Sequence, residues 1–222
     1  MLAKEVRGED CTNFFKAAYE NRYTWEPDFS GYEGSCSWTD GTREITGTFS
    51  LGQDLKATVN DIDDEQIHKL ISSQLWEVAI HRVRRSFEQT HGKNTFAFGE
   101  ANEIGEEIIV GGKNQGDKYR VKNDIVTMVY RHIHGNLIVI LTKNVTDTGN
   151  GYLSKNYSSQ YLDPISKKDL KGKSFYQDNF IPLFEGGPWV LASRSIHQES
   201  VEGAILNKQV FSFSDLKSIS SV

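Results

Sequence analysis

The chain has 222 residues, with 30 acidic and 25 basic side chains, 12 Phe, 9 Tyr and 4 Trp, and only 2 cysteines. This length suits a domain with a substantial core, and the mixture of charged and aromatic residues excludes a disordered chain or a coiled coil. The net charge of −5 argues against general nucleic-acid binding, so no nucleic-acid partner is expected. The charge is uneven, because residues 1–111 hold 11 basic and 20 acidic groups whereas residues 112–222 hold 14 and 10.

Neither a transmembrane segment nor an export signal is expected. No run approaches the roughly 18 apolar residues that span a bilayer. The first ten residues lack the hydrophobic centre of a signal peptide. Cys11 and Cys36 fit a reducing compartment in which neither thiol is needed for a disulfide, which favours a cytoplasmic location.

The first predicted helix spans residues 12–23 and begins near Asp10 or Thr12, either of which can cap it. Its apolar residues recur at helical spacing, and the helix must end before Pro27. The apolar stripe consists of Phe14, Phe15, Ala18 and Tyr19.

Alternating residues then predict three antiparallel strands at 31–38, 44–51 and 55–59, with turn residues between them. A second helix is predicted at 64–81, because acidic residues precede an apolar stripe of helical period. That stripe comprises Ile67, Leu70, Ile71, Leu75, Val78 and Ala79.

After a basic junction at 81–93, the remaining sequence favours eight or nine further strands. They are predicted at 95–98, 107–110, 118–121, 125–134, 137–145, 157–162, 175–184, 190–196 and 204–213. The order lacks βαβ alternation, so a parallel sheet is not expected. The sequence predicts one domain over residues 1–222, of the α+β class and mainly β. A long curved antiparallel sheet would form a half-barrel or open barrel, with about two helices packed in its concave face.

Two histidines, His132 and His134, are two apart on a predicted strand, so that both would point to the same face. Such a pair can supply two ligands to a metal, and His68, His81, His91 or His197 could complete the shell. No acid follows until Asp147, which favours a histidine pair bonded to backbone or tyrosine. Tyr130 precedes the pair and is included among the candidate ligand-binding residues.

Residues 80–93 concentrate six basic or histidine side chains. Cations after a helix C-terminus are favoured by the helix dipole, which explains much of this cluster. The alternative is an anion cradle, because guanidinium groups bind carboxylate or phosphate through paired hydrogen bonds. The residues concerned are His81, Arg82, Arg84, Arg85, His91 and Lys93.

Recognisable catalytic and cofactor motifs do not occur in this sequence. Asp147-Thr-Gly149 resembles an aspartic-protease triplet, but one copy cannot supply paired carboxylates, so it is predicted to be a turn. Gly149-Asn-Gly151 lacks the third glycine and the helix of a dinucleotide site. No cofactor and no catalytic residue are therefore expected.

Aromatic residues crowd the first forty positions. Arg22, Tyr23 and Trp25 could provide cation–π and hydrogen-bonding groups around a flat or apolar ligand. The competing interpretation is ordinary core packing, since strands bury aromatic residues.

Several long segments resemble the uncharacterised domain-of-unknown-function family 3386 of cyanobacteria and plant plastids. They are residues 15–25, 80–96, 130–135 and 147–154. The resemblance implies no particular activity, but it does imply an oxygenic photosynthetic source and a cytoplasmic or plastid-stromal setting. In topology alone, the order of elements is also similar to the half-barrel lipoprotein carriers of the LolA type, in which a curved sheet wraps an apolar cavity. An export signal, which those periplasmic carriers have, is not expected here.

Three functions follow from these patterns. The leading hypothesis is a non-catalytic binder or carrier of an apolar or amphipathic molecule, such as a lipid or pigment. In this hypothesis an acidic head group of the ligand contacts Arg82, Arg84 and Arg85. The body of the ligand contacts Tyr23 and Trp25. The alternative is a protein–protein interaction or assembly factor that exposes an edge strand or an apolar patch. The third is a metal-dependent enzyme that uses the histidine pair.

Overall fold

The computed structural model describes residues 10–219. The prediction that the first ten residues do not form a signal peptide lies outside the described residues, apart from Asp10. Three helices and twelve strands follow one another along the chain. They are α1 (Cys11–Glu20), β1 (Gly31–Thr39), β2 (Glu44–Gly52), β3 (Ala57–Asn60), α2 (Glu65–Ile80), α3 (Phe87–His91), β4 (Asn94–Asn102), β5 (Gly105–Gly112), β6 (Lys118–Lys122), β7 (Ile125–Ile133), β8 (Asn136–Asp147), β9 (Tyr152–Leu162), β10 (Asp169–Pro182), β11 (Trp189–Glu199) and β12 (Ile205–Ser218).

All twelve strands belong to one antiparallel sheet, in the order β3-β2-β1-β12-β11-β10-β9-β8-β7-β6-β5-β4. The order has two ends, β3 and β4, so the sheet is open and does not close into a barrel. The predicted fold class, mainly β with a long open antiparallel sheet, is confirmed. Every predicted strand is present, and most are longer than their sequence pattern indicated.

The chain forms two compact units, and each is described by itself. Unit 1 contains the chain up to Tyr23 together with Arg85–Phe175 and Glu199–Ala204. Unit 2 contains Thr24–Arg84, Tyr176–Gln198 and the chain from Ile205 onward. That residues 1–222 act as a single domain stays a prediction.

The core of unit 1 is built on α1. Asp10 caps the helix by accepting a hydrogen bond from the Thr12 amide at 3.2 Å, as the sequence predicts. The apolar stripe of the helix packs against inward-facing residues of β5, β6 and β7. These buried residues are Cys11, Phe15, Ala18 and Tyr19 on the helix and Ile108, Val110, Tyr119, Val121 and Val126 on the strands.

The helix α1 ends at Glu20, three residues before the predicted end. Beyond it the backbone bonds to β9, because the Tyr152 amide donates to the Asn21 carbonyl and the Tyr23 amide donates to the Tyr152 carbonyl, both at 2.9 Å. A Cβ on Gly151 would lie only 2.6 Å from that Asn21 oxygen, so the close approach requires glycine. Two of the segments that carry the family resemblance therefore meet here.

The core of unit 2 is built on α2. Asp64 caps this helix by accepting from the Gln66 and Ile67 amides at 3.0 and 3.1 Å. The helix lies against β1, β2 and β3, and its buried face matches the predicted stripe except for half-buried Leu70. The buried residues of α2 are Ile67, Ile71, Leu75, Val78 and Ala79.

The basic junction contains a short helix, α3, that was not predicted. Ser86 accepts from the Gln89 amide at 3.1 Å, and the Gln89 side chain accepts from the Ser86 amide at 2.9 Å. The sequence signal for this reciprocal capping box is Ser86-x-x-Gln89, which lies within the basic segment. Within residues 10–219, no helix is long and apolar enough to cross a membrane.

Candidate functional site

Three segments of unit 2 surround a cleft of about 190 Å³, here called the Trp25 cleft. They are the loop between α1 and β1, the turn between β2 and β3, and the residues after α2. Three of the predicted ligand-binding residues, Trp25, Arg82 and Arg84, line it together. The full lining is Trp25, Glu26, Pro27, Phe29, Gly31, Gly52, Gln53, Leu55, Arg82, Val83 and Arg84.

Hydrogen bonds tie the three segments to one another. The Trp25 amide donates to the Arg82 carbonyl at 2.8 Å, which joins the first loop to the end of α2. The Gln53 side chain donates to the Pro27 carbonyl at 3.1 Å, which joins the β2–β3 turn to the same loop. One backbone and one side-chain hydrogen bond therefore hold the three segments together without a ligand.

The inner wall of the cleft is aromatic. Trp25 is buried and its indole N–H donates to the Trp189 carbonyl at 2.9 Å, so its polar atom is satisfied within the protein. Its ring meets Phe29 with centroids 4.9 Å apart and Tyr32 with centroids 6.2 Å apart. Packing therefore fixes the indole, and its accessible remainder offers a rigid apolar surface.

Leu55 lines the cleft from an unusual backbone conformation. Its φ is +63°, in the left-handed region that glycine or asparagine adopts at less cost. The turn is closed by the Leu55 amide, which donates to the Gly52 carbonyl at 3.0 Å. A leucine in this position costs backbone strain and places an isobutyl group on the cleft.

Two arginines bring positive charge to the cleft. Arg84 donates to the Glu26 carboxylate at 2.7 Å and to the Thr24 hydroxyl at 3.2 Å, with about half of each charged side chain exposed. Arg82 lies with its guanidinium 5.8 Å from the centre of the Phe180 ring. An exposed ion pair such as Arg84–Glu26 contributes little to stability, so an anion could exchange with Glu26.

Other predicted site residues belong to unit 1 and do not line the Trp25 cleft. Arg22 stacks over the Tyr19 ring at 3.8 Å and donates to the Tyr19 carbonyl at 2.8 Å, which makes it a cap on α1. Tyr23 is buried beside β9. Arg85 is exposed, and its backbone carbonyl accepts from the Tyr19 hydroxyl at 3.3 Å.

His91 lies in a closed aromatic box in unit 1. The rings of Phe15, Tyr19 and Phe87 have centroids within 5.2 Å of the imidazole, and Phe96 and Tyr119 are at 5.9 Å. Burial, together with the positive charges of Arg131 and Arg22, lowers the pKa of His91 to about 4. The imidazole is therefore neutral at physiological pH, and only 5% of it is exposed.

The prediction that His132 and His134 lie on the same face of one strand is wrong. His132 lies in β7, where buried Asp117 contacts both its amide, at 2.9 Å, and its Nδ1, at 3.0 Å. His134 lies in the following turn with φ +48°, so the alternation of a strand no longer applies to it. The Tyr130 ring packs with its centroid 6.0 Å from that of His132.

His81, another predicted site residue, is the exposed C-cap of α2.

Among residues 10–219, no group of three or more His, Cys, Asp or Glu side chains is placed to hold a metal ion. Both cysteines are free and buried, and burial raises the pKa of each thiol to about 11. The Asp147-Thr-Gly149 triplet forms a turn, with the Thr148 amide donating to the Gly151 carbonyl at 3.0 Å.

A second depression in unit 2, which no sequence pattern indicated, is an open groove of about 460 Å³ beside Trp38. Arg43 lies over the Trp38 ring at 5.0 Å and contacts Asp40 at 3.3 Å and Asp64 at 3.5 Å. Its charge is thus matched by two carboxylates, and the groove offers no concentrated charge of either sign. Residues from β12 complete it, which sequence spacing could not reveal.

Unit 2 also contains a buried charge network that no sequence pattern indicated. Arg194 is 2% exposed and binds the equally buried Asp178 through two hydrogen bonds of 2.8 and 2.7 Å. A third bond, of 2.8 Å, reaches Gln74 on α2, and Glu77 lies 3.3 Å away. The arginine therefore fastens α2 to the strands of its unit.

Comparisons with known proteins place the chain in a family context. A family model described as "Protein of unknown function (DUF3386)" matches residues 6–219. This is the family that the sequence segments resemble. No curated protein matches the chain.

Solved structures similar to the chain have low sequence identity. A LolA superfamily protein from Nitrosomonas europaea is 10% identical, with 96% of each chain covered and a TM-score of 0.35. A DUF1329 family protein from Desulfovibrio piger is 9% identical, with 96% of this chain and 95% of that chain covered and a TM-score of 0.29. The first belongs to the class that the order of elements resembles, and at these TM-scores neither carries an argument about ligand or activity.

Proposed function

We propose that this chain, which belongs to the DUF3386 family of proteins of unknown function, is a non-catalytic binder of an organic anion with an apolar body. A lipid or a pigment-like molecule has this chemistry. The observation that carries the proposal is the meeting of Trp25, Arg82 and Arg84 in one cleft whose walls are fixed by hydrogen bonds.

The lining supports an amphipathic ligand over a purely polar one. Apolar groups of Trp25, Phe29, Leu55 and Val83 form much of the surface, and Arg84 stands at the edge with an exchangeable partner. A carboxylate or phosphate can bind a guanidinium through two hydrogen bonds, while the apolar part of the ligand covers the indole.

The volume of the cleft limits how much of a ligand it can enclose. About 190 Å³ is below the range of roughly 300–1,000 Å³ that is usual for sites enclosing a drug-sized molecule. We therefore propose that the cleft holds the charged end and the adjoining apolar atoms, and that the remaining part of a longer ligand lies outside it.

The proposal is tested by a titration with dodecanoate, an amphipathic carboxylate, followed by calorimetry. The variant Val83→Trp fills the cleft and is expected to abolish saturable binding, while Ile109→Trp on β5 serves as a matched control with a new indole elsewhere. Circular dichroism checks that both variants fold. Binding of dodecanoate by Val83→Trp with the affinity of the wild type would overturn the proposal.

Native mass spectrometry of gently purified protein adds an independent test. We expect a co-purified mass in the wild type that is reduced in Val83→Trp. The photosynthetic source and the cytoplasmic or stromal location implied by the sequence stay predictions.

A second candidate, a protein-interaction function, is supported by the end strand β4. This strand has nine residues, pairs with β5 and forms one end of the sheet. It contains neither proline nor lysine, residues that often protect such edges. Light scattering that shows a stable dimer, reduced to a monomer by Ala97→Pro, would favour this function.

A further inference from the structure

Two neighbouring turns of unit 1 each present an exposed apolar residue. Ile165, in the turn between β9 and β10, is 90% exposed, the highest value among the large apolar side chains of the described residues. Val201, in the turn between β11 and β12, is 61% exposed. Single exposed apolar residues are common, but their placement at two adjacent tips is a pattern that needs a reason.

Both turns are ordered by their own hydrogen bonds. The Asp163 carboxylate accepts from the Ile165 and Ser166 amides at 3.1 and 2.6 Å, and the Asp163 amide donates to the Lys168 carbonyl at 2.9 Å. In the second turn the Ser200 amide donates to the Ala204 carbonyl at 2.8 Å. Hydrogen bonds within each turn therefore fix the backbone in a conformation that exposes Ile165 and Val201.

The two turns lie at the same end of their strands. Gly172 has φ +79°, and a Cβ at this position would collide with the Glu199 carbonyl. This close approach fixes the beginning of β10 against the end of β11. Ile165 and Val201 therefore lie in the two turns at this end of the strands, here called the turn tips (residues 163–173 and 199–204).

The first turn also carries a cluster of positive charge. Residues 163–173 contain four lysines and two aspartates. The aspartates are used as acceptors within the turns, since Asp169 accepts from the Gly172 amide at 2.7 Å and from the Gln160 side chain at 2.6 Å. The lysines are Lys167, Lys168, Lys171 and Lys173.

Three of these lysines are positioned over aromatic rings. Lys167 lies 5.8 Å from the centre of the Tyr130 ring, Lys171 lies 5.1 Å from that of Tyr161, and Lys173 lies 5.4 Å from that of Phe175. Three of the four ammonium groups are thus placed beside aromatic side chains of β7, β9 and β10. The second turn contains two acidic residues, Glu199 and Glu202. The positive charge is therefore concentrated in the first turn, which contains Ile165.

We propose that the turn tips dock on an anionic lipid bilayer. Ile165 and Val201 enter the apolar layer just below the head groups, while the lysines contact lipid phosphates. Apolar side chains inserted beyond a basic collar combine the two attractions that hold peripheral proteins at a membrane surface. This inference does not depend on a ligand in the Trp25 cleft.

The test is flotation of the protein with vesicles of phosphatidylcholine mixed with phosphatidylglycerol, compared with vesicles of phosphatidylcholine alone. We expect the protein to float with the mixed vesicles and to be released by high salt. The double variant Ile165→Ser/Val201→Ser is expected to reduce binding about tenfold, because each side chain loses apolar burial. Its matched control, Ile109→Ser, removes an exposed isoleucine of β5 and is expected to bind like the wild type.

The charge contribution is tested separately. Lys168→Gln/Lys171→Gln is expected to lose the preference for anionic vesicles, while Lys143→Gln on β8 keeps it. Flotation of the Ile165→Ser/Val201→Ser variant like the wild type would overturn the proposal, as would equal loss in the Ile109→Ser control or a failure of the wild type to bind anionic vesicles. Val83→Trp, which blocks the cleft, is expected to float normally, so this proposal and the proposed ligand site fail independently.

Discussion

Two arginines of unit 2, Arg194 and Arg84, use the same side chain in different ways. Arg194 is buried and bound by Asp178, with Gln74 and Glu77 at its third nitrogen, so each guanidinium nitrogen donates a hydrogen bond. Arg84 is half exposed and has one carboxylate partner, Glu26, which is also half exposed. The difference shows which charge maintains the fold and which is available to a ligand.

The largest expected effect concerns the buried pair. Arg194→Met leaves Asp178 buried without its cation, and we expect a loss of about 3–5 kcal/mol in the free energy of unfolding, measured with urea. Arg43→Met is the control, because its ion pairs are exposed and should contribute no more than about 1 kcal/mol. Equal losses in the two variants would contradict the structural role of the buried Arg194–Asp178 pair.

His91 in unit 1 is, like Arg194, a buried titratable side chain, but burial keeps its imidazole neutral. The unfolded chain binds a proton near the usual pKa of 6.5, whereas folded His91 does so only near 4. Unfolding therefore takes up a proton between these pH values, and the free energy of unfolding is expected to fall by about 3 kcal/mol as the pH decreases through them.

Urea unfolding across this pH range provides the measurement. His91→Gln should flatten the dependence, while His134→Asn, at an exposed turn, should leave it unchanged. A wild-type pH profile that His91→Gln does not alter would show that other groups cause the acid sensitivity.

The exposed arginine is expected to affect binding and not stability. Arg84→Gln should weaken dodecanoate binding about tenfold, because a charged hydrogen bond is lost, with little change in the free energy of unfolding. Arg85→Gln, the next residue, does not line the cleft and is the matched control. Equal affinities of the two variants would remove Arg84 from the site.

The smallest expected change in stability is at Leu55. Asparagine tolerates the left-handed backbone of this position, so Leu55→Asn should relieve strain while losing some packing, with a net change within about 1 kcal/mol. The affinity for dodecanoate is expected to fall because the cleft loses an apolar wall. A large loss of stability with unchanged affinity would mean that Leu55 belongs to the core instead.

The sequence indicated the fold better than it indicated the site. Strand alternation and the α2 stripe are local patterns, and they predicted all twelve strands and both long helices in the right order. The predicted end of α1 was three residues too far along the chain. Asn21 and Tyr23 form backbone hydrogen bonds with Tyr152, which is distant in the sequence, and therefore do not continue the helix.

The candidate site could be predicted only in part for the same reason. Trp25, Arg82 and Arg84 stood out as aromatic and basic residues, but Leu55 and Gln53 reach the cleft through a turn whose position depends on tertiary packing. Arg85 and His91 lie in the same basic segment as Arg84, but the chain passes from unit 2 into unit 1 at Arg85. Neither residue lines the Trp25 cleft. Arg194 and Asp178 gave no signal, because a buried ion pair is defined by partners on different strands.

Mapping by NMR tests the central claim, that the Trp25 cleft is the ligand site, most directly. A titration of ¹⁵N-labelled protein with dodecanoate should shift the Trp25 indole resonance and the amides of residues 26–29, 52–55 and 82–84 along one saturable curve. The Trp38 indole, in the other groove of unit 2, should not move. Saturable shifts confined to other residues, or none at all in the cleft, would contradict the account.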